Sequence, residues 1–377
     1  MMNALPYSPK LNVPALAAAF DETTNSYKYY WFLTILDLIH DGSGNLIPLN
    51  LLVSHILAKA WYPLVYFQLS FGKQDQMDRV ISFLKAHHNL QPNTPHQQIV
   101  ECVLDHLERK DNIGQTINSL LNFVPYRFLR PFFAKNLRGV KDWIINREIR
   151  TLAEISFEDS SPCIYRFVAQ PINGIEIHPV WMDYINQHTT ILRGFCLWQL
   201  INYLQRNNPN VPNIAYKLFE PQTRDLHIAR NFWSFVLAQA GSVRCIYSGQ
   251  IIPQENFSLD HFLPWRYVAH DQLWNIIPTF KSINSSKQDS LPDLMYIEPF
   301  ASLQFQAVQI AARTSKRAWL YDYLNLLQIG STVELHQIDF ATFHETLNRT
   351  LLPQMEIASN MGFLVGWRYK SLGKILA

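Results

Sequence analysis

Apolar residues recur every three to four positions along most of this chain, the period of a helix with one buried face. The pattern predicts helices over Asn25 to His40 (capped by Thr24 or Asn25), Asn50 to Tyr62, Gln74 to His88 and His96 to Arg109. Pro63 is expected to stop the second of these, because proline cannot donate the backbone bond that a helix interior needs. Gly114 to Phe123 and Lys135 to Arg150 continue the helical pattern, separated by breaks at Pro125 and Pro131. Trp181 to Arg206 reads as one long helix and Leu226 to Ala240 as another. Phe300 to Leu327 and Ile338 to Leu351 follow, the last ended by Pro353. Residues 1–24, with Pro6, Pro9 and Pro14, read as irregular.

Period-two alternation appears near residues 163–178, around Asn173-Gly174. Asn-Gly suits a tight primed turn, so this stretch predicts a β-hairpin. A second short alternating run ends at Asp260-His261. Asn207 to Pro212 (NNPNVP) is turn-rich and is the best candidate boundary. The resulting division is a mostly helical region 1–212, a small α+β module with a leading helix at 213–300, and a helical cap at 301–377. The fold class is mainly α with a small α+β module.

Composition adds bounds to this picture. The chain has 377 residues, 48% of them apolar and 16% charged, enough to bury a sizeable core. No uninterrupted apolar run approaches the roughly 18 residues of a membrane span. The start shows no basic-then-apolar leader pattern. The four cysteines lack the spacing of a disulfide framework, which suggests a reducing compartment, and a cytoplasmic location is expected.

The net charge of +2 is weak evidence for nucleic-acid binding, but the charge is uneven. Between Arg127 and Arg150, the basic residues Arg127, Arg130, Lys135, Arg138, Lys141, Arg147 and Arg150 face only Asp142 and Glu148. The interleaved Tyr126, Phe128, Phe132, Phe133 and Trp143 could stack on unpaired bases while the charges neutralise phosphates. The same pattern also describes an amphipathic helix pair with aromatics inward, which suits the aromatics better. The charges fit both readings.

The candidate chemistry lies in Ser258-Leu259-Asp260-His261-Phe262-Leu263-Pro264-Trp265, followed by Leu273-Trp274-Asn275-Ile276-Ile277-Pro278 and Ile283-Asn284-Ser285-Ser286-Lys287-Gln288-Asp289. Asp105-His106 shows that an Asp-His pair alone is not specific. The ordered series is. A neutral imidazole can accept a proton near pH 7, and a carboxylate with an amide carbonyl suits a hard cation.

This series resembles the HNH endonuclease family, whose active site is a β-hairpin plus one helix around a divalent metal, the ββα-metal fold. The resemblance covers roughly Cys245 to Pro292. It implies Asp260 and Asn284 as metal ligands, His261 as the general base, and Asn275 as the residue that orders the loop and helps hold that base. Lys287, one turn beyond Asn284, becomes a candidate phosphate contact; a solvated helix-face lysine is the competing reading. The implied cofactor is Mg²⁺ or Mn²⁺. In some relatives two cysteine pairs build a zinc knuckle upstream. Here Ser248 stands in a cysteine position after Cys245, so no structural zinc is expected. The implied activity is hydrolysis of DNA, in a setting of restriction or anti-phage defence. RNA as the substrate, and a subunit that needs a protein partner or forms a homodimer, remain as alternatives. No membrane partner is expected.

Overall fold

A computed structural model of the chain describes residues 5–21, 23–169, 172–221, 224–314 and 317–370. The chain divides into two compact units, one of residues 1–209 and 214–221, the other of 210–213 and 222–377. Both are built mainly from helices, with five short strands in two sheets among the described residues. Among the described residues, no helix is long and apolar enough to cross a membrane.

The first unit runs α1 (Val13–Ala18), α2 (Tyr27–His40), β1 (Leu46–Pro48), α3 (Leu49–Trp61), α4 (Met77–His88), α5 (His96–Arg109), α6 (Asn112–Ser119), α7 (Val124–Leu129), α8 (Asp142–Ser156), β2 (Tyr165–Val168), β3 (Gly174–Ile177) and α9 (Pro179–Asn207). α2 is apolar almost all round, and a helix of that kind belongs inside a fold. Its residues Tyr29 to Leu36 are all buried, and it packs against α3 and α9. α3 in turn covers α5.

Several boundaries differ from those the sequence predicts. α2 begins after Ser26, whose amide and hydroxyl both donate to the buried carboxylate of Asp75, at 2.8 and 2.6 Å. That long-range partner, rather than Thr24 or Asn25, fixes the start. α3 passes into a π-helical turn, Tyr62–Tyr66, so Pro63 widens the helix rather than stopping it. The segment from Lys135 does not become helical until Asp142. Residues Val13–Ala18, expected to be irregular, form a short helix capped by Asn12.

The predicted hairpin is present as β2 and β3, but it belongs to a three-stranded antiparallel sheet in the order β1-β3-β2. Gly174 is not a turn residue: it lies in β3, opposite Val168 on one side and Pro48 on the other. A side chain there would come within 3.0 Å of the Ile47 carbonyl, so the glycine serves close strand approach. Gln170, at the predicted hairpin end, lies outside the described residues.

The second unit runs α10 (His227–Ala240), β4 (Ser258–His261), α11 (Trp265–Val268), β5 (Ile276–Thr279), α12 (Lys281–Lys287), α13 (Ile297–Ala311), α14 (Tyr321–Leu327), α15 (Thr332–Gln337) and α16 (Phe340–Asn360). β4 and β5 are antiparallel, with Asp260 opposite Ile277 and His261 opposite Ile276. One apolar core extends from Ala229 to Phe363, so the helices beyond residue 300 share it with the strands. α13 packs against both α10 and α16. The Ile276 carbonyl accepts hydrogen bonds from Trp233 Nε1 of α10 and Gln304 Nε2 of α13, each at 2.9 Å. α16 runs straight through Pro353, which was expected to end it. Leu347, Leu351, Met355 and Ala358 form one buried stripe across the proline, and their packing outweighs the single lost backbone bond.

Candidate active site

The site is assembled from a turn, a two-stranded ribbon and a short helix. The turn closes through Gly249 N to Cys245 O at 2.8 Å and Cys245 N to Gln250 O at 2.9 Å. Gly249 adopts φ +72°, a left-handed conformation that glycine reaches without strain. Cys245 is buried, with its sulfur 3.2 Å from Thr279 Oγ1 on β5. The turn delivers Tyr247 into the core, against Tyr296 and Trp367.

Asp260 lies on β4 and is 2% exposed. Its Oδ2 accepts from the Tyr247 hydroxyl at 2.7 Å, and its Oδ1 accepts from Lys287 Nζ at 3.0 Å. Burial, together with the Asp260 charge, pushes the Tyr247 phenol well above its ordinary pKa, so it remains a donor. Lys287 also donates to the His261 carbonyl at 2.6 Å and is completely buried. In this geometry it is neither a solvated lysine nor one presented to a ligand phosphate: it ties α12 to β4.

Asn284, one turn earlier on α12, is held by its amide nitrogen. Nδ2 donates to Ser258 Oγ and to the Leu259 carbonyl, both at 2.9 Å. Its Oδ1 has no protein partner among the described residues. Asn275 does a different task. Its Oδ1 accepts from Leu263 N at 2.9 Å, and its Nδ2 donates to Leu263 O at 3.0 Å. With Phe262 N to Asn275 O at 2.8 Å, these bonds close the loop between β4 and β5 at its base.

That loop carries Asp271, which the sequence reading did not single out. Asp271 Oδ1 lies 2.7 Å from His261 Nε2. A carboxylate can only accept, so Nε2 carries the proton and Nδ1 keeps its lone pair. His261 is 7% exposed, and burial lowers its pKa despite the raising effect of Asp271. Arg224 is a second addition. Its positive charge also disfavours protonation of His261, and its guanidinium lies 5.0 Å from the centroid of the Trp265 ring. Neither partnership has a sequence signal, because Asp271 and Arg224 sit ten and thirty-seven positions from His261 with no motif between.

Asp260 and Asn284 offer oxygens of the kind a hard divalent cation takes. After two hydrogen bonds the Asp260 carboxylate retains acceptor capacity, and the oriented Asn284 amide leaves its oxygen unpaired. The basic segment lies in the other unit. There Arg127 is committed to Asp142 through two bonds, at 2.8 and 2.9 Å. Arg130, Lys135, Arg138 and Lys141 are exposed.

The antiparallel β4–β5 ribbon followed by α12 has the ββα arrangement. Residues 245–293 match the family model described as HNH endonuclease. No curated protein and no solved structure matches the chain.

Proposed function

We propose that this protein is a divalent-metal-dependent endonuclease that hydrolyses phosphodiester bonds in DNA. The observation that carries the reading is the Asp271–His261 bond, which fixes the imidazole with one nitrogen left to accept a proton. His261 Nδ1 takes the proton of the attacking water, and Asp271 stabilises the imidazolium that results. Burial keeps His261 neutral at pH 7, so the base is ready without prior deprotonation. Asp260 and Asn284 would hold Mg²⁺ or Mn²⁺. When bound, such an ion supplies Lewis-acid stabilisation of charge on the phosphate and the leaving oxygen. Arg224, exposed near His261, adds positive charge for the substrate phosphate. Arg130, Lys135, Arg138 and Lys141 supply further contacts to the DNA backbone. By family analogy the setting is defence against foreign DNA.

The test is cleavage of supercoiled plasmid with Mg²⁺, Mn²⁺ or EDTA, beside His261→Ala. Metal-dependent nicking or linearisation, reduced about 10²–10⁴-fold in the variant, is expected. Intact plasmid under every metal, with cleavage of single-stranded RNA instead, would replace DNA by RNA as the substrate. Inactivity on both, relieved by an added protein, would make the chain a partner-dependent subunit.

A further inference from the structure

Three imidazoles converge in the first unit, in a place the nuclease chemistry does not use. His87 and His88 end α4, where Asn89 turns the chain back through a left-handed conformation at φ +49°. His106 comes from α5. One nitrogen from each ring lies within 4.8 Å of the others. His87 and His88 are exposed, whereas His106 is 1% exposed.

The buried ring is fixed from behind. His106 Nδ1 lies 2.6 Å from Asp111 Oδ2, so Nδ1 carries the proton and Nε2 presents a lone pair towards the two exposed rings. Asp111 is itself held, because its Oδ1 caps α6 by accepting from Gly114 N at 2.8 Å. Gly114 allows that approach. A side chain there would meet the His106 carbonyl at 2.2 Å. The result is a carboxylate–histidine pair of the kind that orients a metal ligand and raises its basicity. The His88 Nε2 lies 2.7 Å from His106 Nε2. Two nitrogens on one tetrahedral ion at Zn–N distances near 2.0–2.1 Å are about 3.3 Å apart. A ring movement of roughly half an ångström therefore opens the pair to an ion.

We propose that His87, His88 and His106 form a binding site for one divalent transition-metal ion of the zinc type. Imidazole nitrogens select such ions over Mg²⁺, which prefers oxygen. His88 moves its proton from Nε2 to Nδ1 on binding, so neutral rings release none. The fourth position faces solvent and takes water. The ion ties the end of α4 to α5. The proposal does not rest on the nuclease reading.

The experiment uses tag-free full-length protein, stripped with chelator and titrated with Zn²⁺ by calorimetry and with Co²⁺ by visible absorption. The expected result is one equivalent bound, with the intense absorption of a tetrahedral cobalt site. His87→Asn and His88→Asn, both at exposed positions, should each weaken binding at least tenfold and leave the circular dichroism spectrum unchanged. Asp111→Asn, which keeps the α6 cap, should weaken it roughly 10–100-fold. A double variant, Asp260→Asn with His261→Ala, should retain the site. At one fixed Zn²⁺ concentration the melting temperature of wild type should rise by several degrees and that of His88→Asn by clearly less. Absence of stoichiometric binding by folded wild type would overturn the proposal. So would affinity that is unchanged in His88→Asn, or binding that disappears only in the Asp260/His261 double variant.

Discussion

Lys287 Nζ lies 3.0 Å from Asp260 Oδ1, and the two side chains are 0% and 2% exposed. The pair joins the strand and the helix of the nuclease module. Breaking a buried ion pair by removing one partner leaves the other charge uncompensated, at a cost of about 3–5 kcal/mol. Lys287→Met should destabilise the second unit by about that amount in denaturant unfolding. A change within about 0.5 kcal/mol would mean that Tyr247 alone suffices for Asp260.

Asp271 should act through His261. Asp271→Asn removes the charge that favours the imidazolium, so it should lower the rate roughly 10–100-fold. It should also move the acid limb of the pH–rate profile to lower pH, because Asp271 raises the His261 pKa and its loss lowers it. An unchanged limb with a reduced rate would assign Asp271 to loop structure alone.

Asn275 should matter for stability and alignment together. Asn275→Ala removes both bonds to Leu263 and leaves buried backbone groups unpaired, at a cost of about 1–3 kcal/mol. The loop that carries Asp271 then loses its closure. The expected outcome is a lower melting temperature and a fall in kcat larger than any rise in KM. An effect on KM alone would contradict the alignment role.

Acid should loosen the first unit through its histidines. Burial lowers His96 to about 4, and it also lowers His55, whose Nδ1 lies 3.2 Å from His96 Nε2. The unfolded chain takes up these protons near pH 6.5, before the folded chain does. The stability contributed by keeping His96 neutral is thus full above pH 6.5 and is lost as pH falls towards 4. Calorimetric melting between pH 7 and 4 should show this slope, and His96→Gln should flatten it.

What the sequence disclosed follows from the range of the interactions involved. α5 falls on its predicted bounds, His96 to Arg109, because a clean apolar stripe and flanking residues define it locally. β1 escaped notice because three residues cannot display a period, and its place is set by pairing with β3 more than a hundred positions on. Pro353 was misleading because a local breaker competes with a buried stripe that only the fold reveals. Within the site, Asp260, His261, Asn275 and Asn284 stand in an ordered series that a sequence can show. Lys287 stands in that series too, but its pairing with Asp260, like those made by Tyr247 and Asp271, is set by three-dimensional approach.

The shared core of the second unit bears on how the nuclease segment could be moved or reused. The Ile276 carbonyl draws its hydrogen bonds from Trp233 and Gln304, one before and one after the matched residues 245–293. Excision at those limits would bare the back of the ribbon and strand this acceptor in an apolar surface. The segment is therefore not a portable cassette. Grafting its chemistry onto another scaffold would require carrying α10 and α13 along, and the smallest transplantable piece is set by those two side chains rather than by the recognisable motif.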